Sequence, residues 1–180
     1  EFPIIQPATG WVYDGWYYCI LFQSINYIHV KGLEVRNFKY QQTSPCRGIM
    51  AQHVNYCLFE NLSCHHNEIG MMLTGNSGGN LILNCDFYEN HDPYSSPAYN
   101  NGDGLDVSSI PNSYSNIIRG CRAWWNADDG FDLWASEGVV VVDNCWAWSN
   151  GYQEDHVTHN EPPMIGNDGN GFKLGQVTET

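Results

Sequence analysis

The feature that most restricts this chain is an internal repeat of two short units that alternate along its length. One is an Asn or Gly followed six positions later by another polar turn residue. It occurs as Asn61-Leu-Ser-Cys-His-His-Asn67, Asn84-Cys-Asp-Phe-Tyr-Glu-Asn90, Gly120-Cys-Arg-Ala-Trp-Trp-Asn126 and Asn144-Cys-Trp-Ala-Trp-Ser-Asn150, with a weaker copy from Gly32 to Phe38. The other is Gly-apolar-x-apolar: Gly48-Ile-Met-Ala51, Gly70-Met-Met-Leu73, Gly104-Leu-Asp-Val107, Gly130-Phe-Asp-Leu133 and Gly171-Phe-Lys-Leu174. No helical period persists anywhere.

Side chains of a strand alternate between its faces, so each unit splits into two columns. In the first unit the inward positions are Leu33, Leu62, Cys85, Cys121 and Cys145, then Val35, Cys64, Phe87, Ala123 and Ala147. A further apolar column, Val30, Phe59, Ile82, Ile118 and Val142, precedes the turn. Short strands that each need a neighbour to bury one face describe a solenoid. The expectation is an all-β, right-handed parallel β-helix of about five coils with three strands per coil. Asn67, Asn90, Asn126 and Asn150 should stack at one turn. Cys64, Cys85, Cys121 and Cys145 act as small interior hydrophobes and stay reduced. For Cys19, Cys46 and Cys57 a Cys19–Cys46 bridge remains open.

The chain reads as one domain: a lead-in segment and partial coil at 1–24, coils over 25–175, and a tail at 176–180. Coil length varies at one corner only, where insertions at 91–103 and 151–170 should flank a cleft. A coil is still open near Thr180 without a capping helix, so further coils, or a second chain, are expected to cover that end.

Twenty Asp+Glu against seven Lys+Arg give a net charge of −13, which excludes binding to nucleic acid through surface charge. The longest aliphatic run, Val139 to Val142, is far too short for membrane insertion. Acids instead concentrate. The outward column of the Gly-apolar-x-apolar strand reads Met50, Met72, Asp106, Asp132, Lys173, and Asp103, Asp128 and Asp129 sit just before the glycines. Like carboxylates this close raise one another's pKa, and a Ca²⁺ ion with its many oxygen ligands relieves the repulsion. A structural calcium or solvated turn acids would read the same. Lys173 beside them is either a salt bridge to the column or a base. With a cation polarising a uronate carboxylate, a neutral amine can remove the proton on the adjacent carbon. Outward Tyr88, Trp124 and Trp148, with Trp146 nearby, suit sugar rings or packing under the loops. His156 and His159 form an H-x-x-H best explained as loop polarity.

The run from Gly120 through Asp128-Asp129-Gly130-Phe131-Asp132-Leu133, then Asn144 to Gly151 and Gly169-Asn-Gly-Phe-Lys-Leu-Gly175, resembles polysaccharide lyase family 9 over roughly residues 100–175. The resemblance implies a pectate lyase or rhamnogalacturonan lyase fold. It also implies a catalytic calcium on Asp103, Asp128, Asp129 and Asp132, and Lys173 as base. Asp106 departs from the pectate-cleaving pattern, which lacks an acid there. The reaction implied is β-elimination on an acidic polysaccharide such as pectate by a secreted, extracellular protein. Rhamnogalacturonan I is the alternative substrate. A non-catalytic calcium-binding β-helix, as adhesin, fibre subunit or carbohydrate-binding module, is the alternative from another class.

Overall fold

The computed structural model describes residues 2–8, 18–39, 46–158 and 169–175. Every regular element among them is a strand, and all strands pair in parallel within three sheets. The first sheet stacks Ile4–Ile5, Glu34–Arg36, Ser63–His65, Asp86–Tyr88, Arg122–Trp124 and Trp146–Trp148. The second stacks Tyr18–Gln23, Arg47–Gln52, Ile69–Thr74, Leu105–Ser108, Phe131–Asp132 and Phe172–Lys173. The third holds His29–Lys31, Leu58–Glu60, Leu81–Leu83, Ser115–Arg119 and Val139–Asp143. Taken in chain order, the second, third and first sheets are visited in turn for five full windings, with one strand before and one after. This is the β-helix read from the repeat. Among the described residues no helix is long and apolar enough to cross a membrane.

The repeat unit has a local cause at each turn. The step from the third sheet to the first takes two residues, and its first residue is left-handed: Gly32 (φ 67°), Asn61 (53°), Asn84 (52°), Gly120 (65°) and Asn144 (51°). Only Gly, or a residue such as Asn whose short side chain tolerates that region, fits cheaply there. That requirement is why the unit begins on Asn or Gly.

The inward columns pair in register: Val35, Cys64, Phe87, Ala123 and Ala147 on the first sheet, and Val30, Phe59, Ile82, Ile118 and Val142 on the third. On the second sheet Ile49, Met71, Leu105 and Phe131 follow one another and are fully buried. All seven cysteines are free thiols. Cys64, Cys85 and Cys121 lie in the core and Cys145 is half-buried against it.

The asparagine stack also forms. Asn67 N donates to Asn90 Oδ1 (3.1 Å), Asn90 Nδ2 to Asn126 Oδ1 (2.9 Å), and Asn126 Nδ2 to Asn150 Oδ1 (3.0 Å). Each amide also serves a backbone carbonyl, as Asn126 Nδ2 does for Phe87 (3.2 Å). The glycines opposite leave it room: a Cβ on Gly104 would lie 2.6 Å from the Gly130 carbonyl oxygen and 2.8 Å from Asn126 Nδ2. A second ladder, which the repeat did not reveal, joins Asn80 N and Nδ2 to Asn116 Oδ1 (3.2 and 2.9 Å) at the opposite corner. Asn126→Ala strips partners from several buried groups at once. Each costs about 1–3 kcal/mol when left unmade, so the melting temperature should fall by about 10 °C, as scanning calorimetry would record.

Candidate metal and substrate groove

The site is built on the second sheet, where parallel pairing puts Met50, Met72, Asp106, Asp132 and Lys173 in one column. Just before these strands the chain leaves the asparagine corner, and the turn residues Asp103 and Asp129 come beside the column. The Asp129 amide donates to Asp103 Oδ1 (3.0 Å), and the Gly104 amide donates back to the Asp129 carbonyl (3.0 Å). Asp103, Asp129 and Asp132 each bring one carboxylate oxygen to within 4.8 Å of the others. Asp128 is buried next to them and its charge bears on Asp103, but it is not one of that group.

The electrostatics are those of an acid cluster short of positive charge. Burial, then the charge of Asp128 and the neighbouring aspartates, pushes Asp103 well above the usual carboxylate range. Burial and the adjacent Asp132 lift Asp106 to about 7, and burial lifts Asp132 to about 6. Lys173 Nζ answers part of this, 3.1 Å from Asp129 Oδ2 and 3.3 Å from Asp132 Oδ2. Burial would lower the ammonium pKa, but Asp129 and Asp132 outweigh it and raise the group above its ordinary value. Asn170 donates its backbone N (2.8 Å) and its Nδ2 (2.9 Å) to Asp129 Oδ1. Even so, Asp106 Oδ1 and Asp132 Oδ1 are buried without a hydrogen-bond partner. An all-oxygen seat of carboxylates with atoms left unserved fits a hard divalent cation.

The acids of the outward column are not open to solvent. Asp106 is 8% and Asp132 7% exposed, because they form the floor of a groove of about 800 Å³. Pro97, Asn100 and Asn101 from the 91–103 insertion line it, as does Trp134. The described part of the other insertion, 151–158, contributes no lining residue. It is tied elsewhere, through Glu154 to Lys39 (3.3 Å) and Tyr99 (3.2 Å) and through His156 stacked on Trp125 at 4.3 Å. His159 lies outside the described residues.

The aromatic column lies apart from the groove. His65, Tyr88, Trp124 and Trp148 stack on the outer face of the first sheet with centroids 4.4, 4.4 and 5.0 Å apart and planes within 7°. Their faces are turned to one another, leaving mainly edges for any sugar, and Trp146 is 65% exposed on the same sheet. None of these four predicted aromatics lines the groove. Trp134 does, with Lys173 Nζ 5.3 Å from its ring centroid. Strand parity, two residues beyond Asp132, could have found it. Arg47, also in the lining, gave no such signal, because parity with inward Ile49 assigns it to the core.

The sequence model of the Pel9A-like, right-handed β-helix region matches residues 12–180. The chain belongs to this family. Among its Pel9A-like relatives, pectate lyase L of Dickeya dadantii is 35% identical over 170 residues, 94% of this chain and 36% of that protein. A pectate lyase of Emericella nidulans is 32% identical over 152 residues, 74% of this chain and 35% of its own length. Of solved structures, pectate lyase Pel9A matches with a TM-score of 0.61 and 31% identity, over 86% of this chain and 40% of that one. A rhamnogalacturonan lyase matches with a TM-score of 0.69 and 25% identity, over 97% and 42%. This Pel9A-like chain thus spans about a third of the length of the curated relatives it matches.

Proposed function

We propose that the chain is the catalytic portion of a secreted, calcium-dependent polysaccharide lyase that cleaves a uronate polymer such as pectate by β-elimination. The observation that carries this reading is one groove lined by Asp103, Asp106, Asp132 and the amine of Lys173, with Lys173 in register with Asp132 and Asp106 and with buried Asp129 completing a three-carboxylate cluster beside it. The pectate lyase relatives support it.

Asp103, Asp129 and Asp132 would hold the calcium, with Asp128 as the fourth acid of the corner. Asp106 stands one strand away from Asp132, facing the substrate path. When bound, calcium supplies positive charge at the substrate carboxylate and makes the neighbouring C–H more acidic. The chain's residues do the rest. Asn170 fixes Asp129, and the Asp129 amide fixes Asp103, so the acids are oriented before substrate arrives. If Asp129 and Asp132 held the cation, their charges would no longer hold the proton on Nζ. The neutral amine then takes the C5 proton. The electron pair of that C–H bond becomes the C4–C5 double bond, the C4–O bond breaks, and the leaving oxygen is protonated from water. Trp134 and the loop carrying Pro97 shield this step from bulk solvent.

Polygalacturonate, calcium and the chain together should therefore develop the ultraviolet absorbance of a 4,5-unsaturated uronate. Folded protein giving no such signal on any uronate polymer would end the lyase reading. The rhamnogalacturonan lyase neighbour, whose TM-score of 0.69 exceeds that of Pel9A at 0.61, keeps rhamnogalacturonan I as the second substrate to assay.

A further inference from the structure

We infer that Arg47 is a second recognition point of the groove, taking a substrate carboxylate several sugars away from the bond that is cut. The inference rests on reading the groove as a uronate lyase site. The groove runs across the second sheet from Arg47–Gln52 through Ile69–Thr74, Leu105–Ser108 and Phe131–Asp132 to Phe172–Lys173. Four strand steps at about 4.8 Å set the strand of Arg47 about 19 Å from that of Lys173 along the stack, and Arg47 stands three residues before Met50, the residue in the Lys173 column. Both side chains nevertheless line the same groove. That shape suits a chain molecule laid along the helix axis, and it sets one cation toward each end.

Between the two cations lie Asp103, Asp106 and Asp132. A polyanion entering this floor meets repulsion unless fixed positive charge also faces it. Arg47 supplies that charge away from the chemistry. Its field reaches Asp106, whose carboxyl it pulls down against the stronger effect of burial. Even so, Asp106 Oδ1 accepts no hydrogen bond from it or from any other group. A guanidinium is always charged and matches a carboxylate with two parallel N–H donors. The wall beside the path is held in place: buried Asp92 accepts from Ser95 Oγ and from the Asn101 amide (3.0 Å), which keeps Asn100 and Asn101 at the groove. A uronate chain has a bounded path from Lys173 to Arg47.

The test is a length series of oligogalacturonates in calcium, with turnover and calorimetric binding both measured. Arg47→Ala should raise KM for long oligomers by about ten- to a hundredfold, with far less effect on the shortest ones and with the loss in KM rather than kcat. Arg47→Lys should recover only part, because a point charge lacks the fork. An equal loss at every length, a weakened calcium affinity, or no loss at all would overturn the assignment. If the unaltered chain turns over no uronate, the lyase reading fails. The binding series on the unaltered and Arg47→Ala chains then still decides whether Arg47 takes a carboxylate.

Discussion

Lys173→Ala should lower the elimination rate by about a thousandfold, the loss typical of removing a general base, while binding to the polymer persists. The side chain lies in the groove, its Nζ between Asp129 and Asp132 and 5.3 Å from the ring centroid of Trp134, with only 15% of its surface exposed. Its removal therefore has two separable effects. In the absence of a cation, Asp129 and Asp132 lose their ammonium partner, and breaking a buried pair this way is costly. In calcium the acids keep a counter-charge, so a drop in turnover under those conditions reports the amine itself. Lys173→Met keeps an unbranched side chain without the amine and should be equally inactive. The pH profile of the unaltered chain should rise toward alkaline pH, since a lysine ammonium ordinarily keeps its proton to about 10.4 and must lose it before the amine can act as base. Residual activity of Lys173→Ala should lack that limb. Initial rates from ultraviolet absorbance and melting curves on the same samples are the measurements. Turnover within tenfold of the parent, from folded protein, would remove Lys173 from the role of base.

The column that carries this prediction was legible in the sequence because a parallel β-helix converts spacing into position. Once Gly104, Gly130 and Gly171 mark the start of the same strand, Asp106, Asp132 and Lys173 must follow one another up the sheet. The asparagine corner was legible for the same reason. The second ladder was not: Asn80 lies ten residues after Gly70, but Asn116 lies twelve after Gly104, so no fixed offset announces the pair. The burial of this column was not legible, because the repeat describes the floor and not how an insertion closes over it. The 91–103 insertion has no partner copy, and its fold over the acids depends on contacts such as those of Asp92 that no period encodes. The aromatic column was placed on the right sheet, but spacing gives no sense of which way a ring turns. Stacking 4.4–5.0 Å apart turns these rings toward one another. Arg47 stayed hidden because strand alternation breaks down where a strand emerges from a corner.

In a chelator, the chain should lose stability as pH rises from about 4 to 7, and calcium should abolish most of that loss. Unfolded aspartates titrate near 3.9. In the folded chain burial and mutual repulsion hold Asp132 up to about 6 and Asp106 up to about 7, and push Asp103 well above the usual carboxylate range. Between the unfolded and folded values the native state binds more protons than the unfolded one, so stability declines with increasing pH across that interval and is level above it. Shifts of this size on interacting groups amount to several kcal/mol and do not add simply. For a chain of this length the melting temperature should fall on the order of 10 °C between pH 4 and 8 in chelator. A cation that binds only the native acids reverses the loss through mass action. Asp106→Asn separates two contributions. Asp106 is not one of the three carboxylates close enough to share an ion, so its replacement should lessen the chelator-dependent decline while calcium still stabilises. Asp129→Asn strikes the shared seat, where Asn170 and Lys173 also converge, and should eliminate the calcium effect. A melting temperature that climbs with pH in chelator, or that calcium leaves unmoved, would mean that these buried acids are neutralised by something other than a bound cation.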